Sequence, residues 1–382
     1  EMLTATSGAF HSFIVKDAAS GNMSRFTVPR RYTNLQYISA GAQGTVVSAD
    51  DTATSTRVAI KKMQQPFLMP LSAKRAYREL VLLSSIEHPN IIKLISAFTP
   101  QERKRDFQEV YLVMELMNHN LHQIRNKLKL DHAMLSFFIY QSLCAVNHIQ
   151  KMGIIHRDLK PSNIVVDDKC VLKVLDFGLA RMTAADIRMT KYVVTRFYRA
   201  PEIILEQAYN EKADIWSIGC IFAELLTHRV LFPGLNRIDQ WSKIVSIMGT
   251  PTDAFMSRLT THTDEYVRSL PKVVATPIEQ LIPDSLFLTH TERPRAHLTA
   301  EDARRLISKM LVIDPNERYS VQEALNDPYV NMWFREAEVN APLSVSRYDQ
   351  QLDFADHSLT EWKSLIFDEV KRLESQHDVH NG

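Results

Sequence analysis

Apolar positions in the first third of the chain recur as short runs with alternating or β-rich character. Residues 35–49, 57–63, 92–98 and 107–113 carry the branched and aromatic content of strands, and 71–86 has the spacing of a helix. A charged turn, 101–106, separates the last two strands. Residues 1–31 mix polar, glycine and serine positions and are expected to be loosely attached. Between 114 and 120 the character changes. From there 132–152, 213–226, 237–248 and 300–311 have helical apolar spacing. Capping-box pairs open three later helices: Thr299 with Asp302, Ser320 with Glu323, and Ser358 with Glu361. In the tail, Leu359, Trp362, Leu365, Ile366, Val370 and Leu373 mark a helix expected to pack back on the body. The pattern predicts an α+β protein, with a small β-rich unit over 32–117, a larger helical one over 118–330 and a tail over 331–382.

Composition narrows the function. The 382 residues suffice for two or three units of about 150 residues each. Lys and Arg number 45 against 44 Asp and Glu, so the formal charge is +1, and binding to nucleic acid through bulk charge is not expected. Cys144, Cys170 and Cys220 are widely spaced and give neither a disulfide framework nor a zinc pattern, which fits a reducing compartment. No apolar run approaches the roughly 18 residues of a membrane span, and no signal peptide is visible. The expectation is a soluble intracellular protein with no membrane partner.

Chemistry concentrates in His156-Arg157-Asp158-Leu159-Lys160-Pro161-Ser162-Asn163, followed by Asp176-Phe177-Gly178 at 176 − 158 = 18 residues from the first carboxylate. Residues 164–166 and 171–175 can form a hairpin between them, which would bring both acids to one loop face. Phosphoryl transfer from a nucleotide needs metal ligands, a carboxylate near the attacking hydroxyl and cations for the phosphate oxygens. Asp176 and Asn163 offer hard oxygen ligands suited to magnesium. Asp158 is the candidate base, and Lys160 is placed to stabilise charge on the transferring group.

At these residues the sequence resembles the eukaryotic protein kinases, which implies a bilobal fold, ATP and Mg2+. The resemblance extends to Val58-Ala59-Ile60-Lys61, whose lysine would hold the α- and β-phosphates, and to Glu79 as its partner. It makes Ile38-Ser39-Ala40-Gly41-Ala42-Gln43-Gly44-Thr45-Val46 a glycine loop in which Ser39 replaces the first glycine. Met114-Glu115-Leu116-Met117 would be the adenine-binding hinge, with Val46, Ala59 and Val166 as pocket walls. Ala200-Pro201-Glu202 would close an activation segment over 176–202, with Glu202 paired to Arg318. Asp214 would brace the catalytic loop.

Thr190-Lys191-Tyr192, ahead of Val193-Val194-Thr195-Arg196-Phe197-Tyr198-Arg199, is similar to the activation site of the mitogen-activated protein (MAP) kinases. Gly41-Ala42-Gln43-Gly44, 73–82, 98–101, 113–117, 154–166 and 193–196 are most like the c-Jun N-terminal kinase (JNK) group. The likeness runs from about 32 to 373 and places the family's insert at about 252–295. It implies a proline-directed Ser/Thr kinase switched on by phosphates on Thr190 and Tyr192, which Arg75, Arg78, Arg157 and Arg181 would bind. It also implies a dual-specificity MAP kinase kinase upstream. Protein substrates such as transcription factors, scaffolds, phosphatases and docking peptides would be further partners, in cytoplasm and nucleus. Leu128, Leu130, Cys170, Trp333 and Glu338 match the docking positions. Three residues depart from the group's pattern: Ser39, Lys191 where Pro is usual, and His122 where many members have cysteine. Arg335 also stands where an acidic residue is common. A catalytically weak scaffold kinase and a cyclin-dependent type are the alternatives. Lys61, Asp158, Asn163 and Asp176 are all present, and the Thr-x-Tyr pair favours the MAP kinase reading.

Overall fold

The computed structural model describes residues 3–4, 8–17, 20–41, 43–182, 196–287, 297–343, 351 and 355–376, with the side chains of 3, 4, 181 and 182 excepted. The chain divides into two compact units. One comprises residues 1–87, 92–117 and 344–382, and the other 88–91 and 118–343.

The first unit holds two antiparallel sheets. Strands β1 (Leu3–Thr4), β2 (Phe10–Lys16) and β3 (Met23–Pro29) make the smaller one, in that order. Strands β4 (Tyr32–Gly41), β5 (Gly44–Asp51), β6 (Thr56–Met63), β7 (Leu94–Phe98) and β8 (Tyr111–Glu115) make the larger, in the order β4-β5-β6-β8-β7. The expectation that 1–31 is loosely attached is corrected for its middle part. Phe13 and Val15 on β2, and Phe26 and Val28 on β3, alternate as inward positions and are buried with Tyr32, Leu35, Val47, Ile60, Phe98 and Tyr111. Phe98 stacks on Tyr111 with ring centroids 4.8 Å apart.

Helix α1 (Pro70–Ser85) follows β6 with Pro at its first position, where the missing N–H costs nothing. The closing helix of the chain, α14 (Leu359–Gln376), packs on α1 and β7 of this same unit. Trp362 lies 5.6 Å from the Tyr77 ring, and Glu374 accepts the Thr99 N–H at 2.8 Å.

The second unit is mainly helical, with short strands β9 (His119–Asn120), β10 (Ile154–Ile155), β11 (Ile164–Val166), β12 (Leu172–Val174) and β13 (Arg181–Met182). Helices α2 (Leu121–Lys127) and α3 (His132–Lys151) precede the loop that bears the chemistry, and α4 (Pro201–Ile204) and α5 (Lys212–Thr227) follow it. Helix α5 is buried on every side from 213 to 226, as an apolar helix at the centre of a unit must be. Around it lie α6 (Arg237–Met248), α7 (Asp253–Met256), α8 (Thr261–Ser269), α9 (Ile278–Leu281), α10 (Ala300–Met310), α11 (Val321–Leu325), α12 (Pro328–Asn331) and α13 (Glu336–Val339). Among the described residues no helix is long and apolar enough to cross a membrane.

Candidate active site

In the second unit, the loop between β10 and β11 is held from below by one aspartate. Asp214, in the first turn of α5, has no exposed surface; its two oxygens accept the backbone N–H groups of His156 and Arg157 at 2.8 and 2.9 Å. Burial pushes its carboxyl pKa up, and the two donors act against that shift. Arg157 takes a left-handed φ of 69°, a strained conformation that the clamp on both neighbouring N–H groups sustains. His156 Nε2–H donates to the Leu175 carbonyl at 2.9 Å, while its Nδ1 accepts the Asp158 N–H at 3.3 Å. A carbonyl only accepts and an N–H only donates, so the partners select one tautomer.

Asp158 is therefore fixed at both backbone and side chain. Its Oδ2 accepts Lys160 Nζ at 2.9 Å and Asn163 Nδ2 at 3.1 Å, and the same amide donates to the Asp158 carbonyl at 3.0 Å. Burial raises the Asp158 pKa first, the nearby Asp176 carboxylate adds to that, and Lys160 opposes it. Asp176 follows the β11–β12 hairpin, with a left-handed φ of 71°, and its Oδ1 faces the Gly178 N–H at 3.4 Å. The hairpin thus brings the two acids together.

The donor set fits a divalent cation. Asn163 commits its amide nitrogen to Asp158, so its side-chain oxygen and the Asp176 carboxylate are the hard oxygen donors of the loop. Among the described residues no cluster of three His, Cys, Asp or Glu forms a metal cage. Two protein oxygens are what an ion bound mainly through phosphates and water requires.

The first unit carries the remaining chemistry. Lys61 on β6 bonds Glu79 on α1, Nζ to Oε1, at 2.6 Å, with both side chains buried, and Gln43 Oε1 accepts the same ammonium at 3.3 Å. Strands β4 and β5 turn at Gly41 opposite Gly44. Gly44 has φ 149°, and a Cβ there would sit 2.2 Å from the Lys62 carbonyl, so only glycine fits. Ser39 pairs with Val46, Ala40 with Thr45, and Ile38 is exposed; Ala42 lies outside the described residues. Met114 pairs with Ala59 across β6 and β8, Glu115 Oε1 accepts the Lys93 N–H at 2.8 Å, and Met117 is half-buried.

Val166 ends β11 as a buried residue of the second unit. Of the four candidate phosphate-binding arginines, Arg78 is buried and Arg75 half-buried on α1. Arg157 lies in the second unit, its guanidinium 5.4 Å from the Tyr209 ring centroid. The Arg181 side chain, Thr190 and Tyr192 lie outside the described residues. Glu202 and Arg318 form the expected buried pair, with two bonds of 2.7 and 2.8 Å.

The docking candidates divide. Leu128 is 55 % exposed, whereas Leu130 is 6 % exposed. Leu130 is therefore a buried residue and Leu128 an exposed one of the same segment. Gln141 on α3 donates to the Cys170 carbonyl, and Ser136 on α3 accepts the Trp333 indole N–H at 2.8 Å. Glu338 pairs with Arg335 at 3.3 Å.

Arg199 was missed in the sequence. It belongs to the field at Asp158: burial lowers its pKa and the Asp158 charge acts against that shift. The two lie 41 positions apart (199 − 158 = 41), so no local pattern signals the interaction.

A protein kinase domain model matches residues 32–330. The chain is 60% identical over 375 residues to GLH-binding kinase 1 of Caenorhabditis elegans, covering 98% of this chain and 96% of the relative. It is 49% identical over 358 residues to the stress-activated protein kinase JNK of Drosophila melanogaster, covering 94% and 95%. With the buried Lys61–Glu79 pair, the Asp158 loop and these near full-length likenesses together, the chain belongs to the protein kinase family, as a Ser/Thr kinase of the JNK-like MAP kinase group.

Proposed function

We propose that the protein is a proline-directed Ser/Thr kinase of a stress-activated cascade, in the cytoplasm and nucleus, active when Thr190 and Tyr192 are phosphorylated. The observation that supports it best is Asp158, buried yet bonded so that its carboxylate is held for a substrate hydroxyl. In this reading Asp158 orients the hydroxyl and takes its proton. Lys160 neutralises charge beside it. Asn163 and Asp176 would hold Mg2+, and Lys61, fixed by Glu79, would hold nucleotide phosphates together with the Gly41–Gly44 turn. ATP with its cation supplies the phosphoryl group and screens its charge.

The residue after the acceptor would meet the 193–199 stretch, where proline leaves no backbone N–H unpaired. A dual-specificity MAP kinase kinase would act on Thr190 and Tyr192, and the added phosphates would pair with Arg75, Arg78, Arg157 and Arg181. Substrates such as transcription factors, scaffolds and phosphatases would dock through short basic and apolar segments at Leu128, Cys170, Trp333 and Glu338.

The test is a kinase assay on matched Ser-Pro and Ser-Ala peptides, with intact mass recorded before and after activation. Activity on Ser-Pro that rises with two added phosphates, and fails to rise in Thr190→Ala with Tyr192→Phe, is the expected result. High basal activity in that double variant would overturn the switch. Equal rates on the two peptides would overturn proline direction.

A further inference from the structure

A part-buried ion pair in the second unit has no part in the chemistry above, yet it reaches the segment that follows the phosphosites. Glu224, near the end of α5, has no exposed surface. Its Oε1 accepts a hydrogen bond from Arg125 Nη1 on α2, and its Oε2 accepts the Tyr198 hydroxyl at 2.7 Å. The Tyr198 carbonyl accepts Ser217 Oγ at 2.7 Å, so α5 holds this residue by its backbone and by its ring. Tyr198 immediately precedes Arg199, whose guanidinium lies in the field of Asp158.

Among the described residues Arg125 is the one ion-pair partner of Glu224. The other side of its guanidinium is fixed by Asn126 Oδ1, at 3.1 Å from Nε and 2.9 Å from Nη2, and its carbonyl accepts His228 Nδ1 at 2.7 Å. A carboxylate without exposed surface persists as an anion only beside a cation. Without Arg125, a Glu224 that stayed ionised would have to turn toward water, and Tyr198 would lose its acceptor.

We propose that Arg125 is a positioning residue for the peptide substrate: acting through Glu224, it sets Tyr198 and with it the 196–199 stretch. This deepens the proline-directed reading and rests on it for the identity of the bound residue. Among the described residues Arg125 bonds Glu224 and Asn126 by its side chain and makes no bond to Asp158, so its effect falls on peptide binding.

The full chain is compared with Tyr198→Phe, with Arg125→Leu, with both together, and with Arg125→Leu plus Glu224→Gln. All are matched in phosphorylation by intact mass. The readouts are KM and kcat on a Ser-Pro peptide, KM for ATP and Tm. Tyr198→Phe and Arg125→Leu should each raise the peptide KM by about fivefold, with the ATP KM unchanged. The two changes together should do no more than the larger alone, since they break one chain of contacts. Glu224→Gln supplies a neutral acceptor and should return the Arg125→Leu peptide KM to within about twofold of the parent.

Tyr198→Phe removes one oxygen and almost no volume, so it decides the matter even if Arg125→Leu folds poorly. An unchanged peptide KM in Tyr198→Phe would overturn the proposal. So would an Arg125→Leu enzyme whose kcat and both KM values change in step with a lowered Tm, because that is the mark of a merely structural pair. Failure of the parent to prefer Ser-Pro over Ser-Ala would instead strike the proline-directed reading and leave these KM comparisons intact.

Discussion

Asp158 is kept charged in a place that disfavours charge. It is 5 % exposed, and burial raises its pKa above that of an ordinary aspartate despite the ammonium of Lys160 at 2.9 Å. The sign of the linkage follows from the direction of that shift. A carboxyl whose pKa is raised on folding binds its proton more readily in the folded state, so its ionised form subtracts stability at neutral pH. That penalty disappears as the pH falls through the raised value. Activity runs the other way, because the protonated acid cannot accept the substrate proton. The acidic limb of kcat/KM should therefore lie above the pKa of about 3.9 of a free aspartate. Asp158→Asn keeps acceptors for Lys160 and Asn163 without the charge. It should cut turnover by about 10²- to 10⁴-fold while Tm stays level or rises. Equal turnover would remove Asp158 from the chemistry, and a clear fall in Tm would refute the desolvation account.

At the scale of elements, the β2–β3 hairpin joins the core of the first unit and does not trail from it. Phe26 has no exposed surface and meets the Tyr111 ring at 5.8 Å, so Phe26→Ala should cost about 3–5 kcal/mol, read from denaturant unfolding. A loss near zero would mean the hairpin is dispensable. This hairpin was hidden in the sequence for a physical reason. Between its two deep apolar positions β2 carries the exposed Ile14 and β3 carries Thr27, so the strands do not alternate cleanly in polarity and only the facing sheet shows which positions point inward. The Ser320–Glu323 box was legible because both of its bonds are local, and the structure forms both. Thr299–Asp302 forms only half a box: Thr299 accepts the Asp302 N–H, but the shorter aspartate accepts the Thr299 hydroxyl and Arg305 instead of the Thr299 backbone N–H. The loop around Asp158 was legible for the same local reason, since its spacing is its geometry. Arg125, Glu224 and Tyr198 were not, because contacts across 224 − 125 = 99 residues leave no local trace.

At the scale of the whole chain, helix α3 of the second unit organises the candidate docking residues. Ser136 and Phe137 hold the Trp333 indole, Tyr140 accepts the Arg335 N–H at 2.9 Å, and Gln141 reaches the Cys170 carbonyl. His88 donates to the Glu338 carbonyl at 2.9 Å, and Asn147 and Lys151 both donate to the Val339 carbonyl. Trp333 and the Glu338 backbone are thus structural supports, and truncating them would loosen the segment as well as any peptide site. Leu128 and Arg335 offer a cleaner test, because both are exposed and neither anchors the segment by its side chain. Arg335 also spends Glu338 on a local pair, which leaves less negative potential for a basic peptide. Arg335→Glu should therefore tighten a basic docking peptide about tenfold, the equivalent of roughly 1.4 kcal/mol, and the gain should shrink at high salt. Leu128→Glu should weaken the apolar contact of the same peptide and leave Tm within a degree or so of the parent. Turnover on a short Ser-Pro peptide lacking the docking segment should stay the same in both variants. Peptide titration by fluorescence anisotropy, run beside that assay, reads both effects, and an Arg335→Glu protein that binds the basic peptide no better than its parent would remove Glu338 from the recognition of partners.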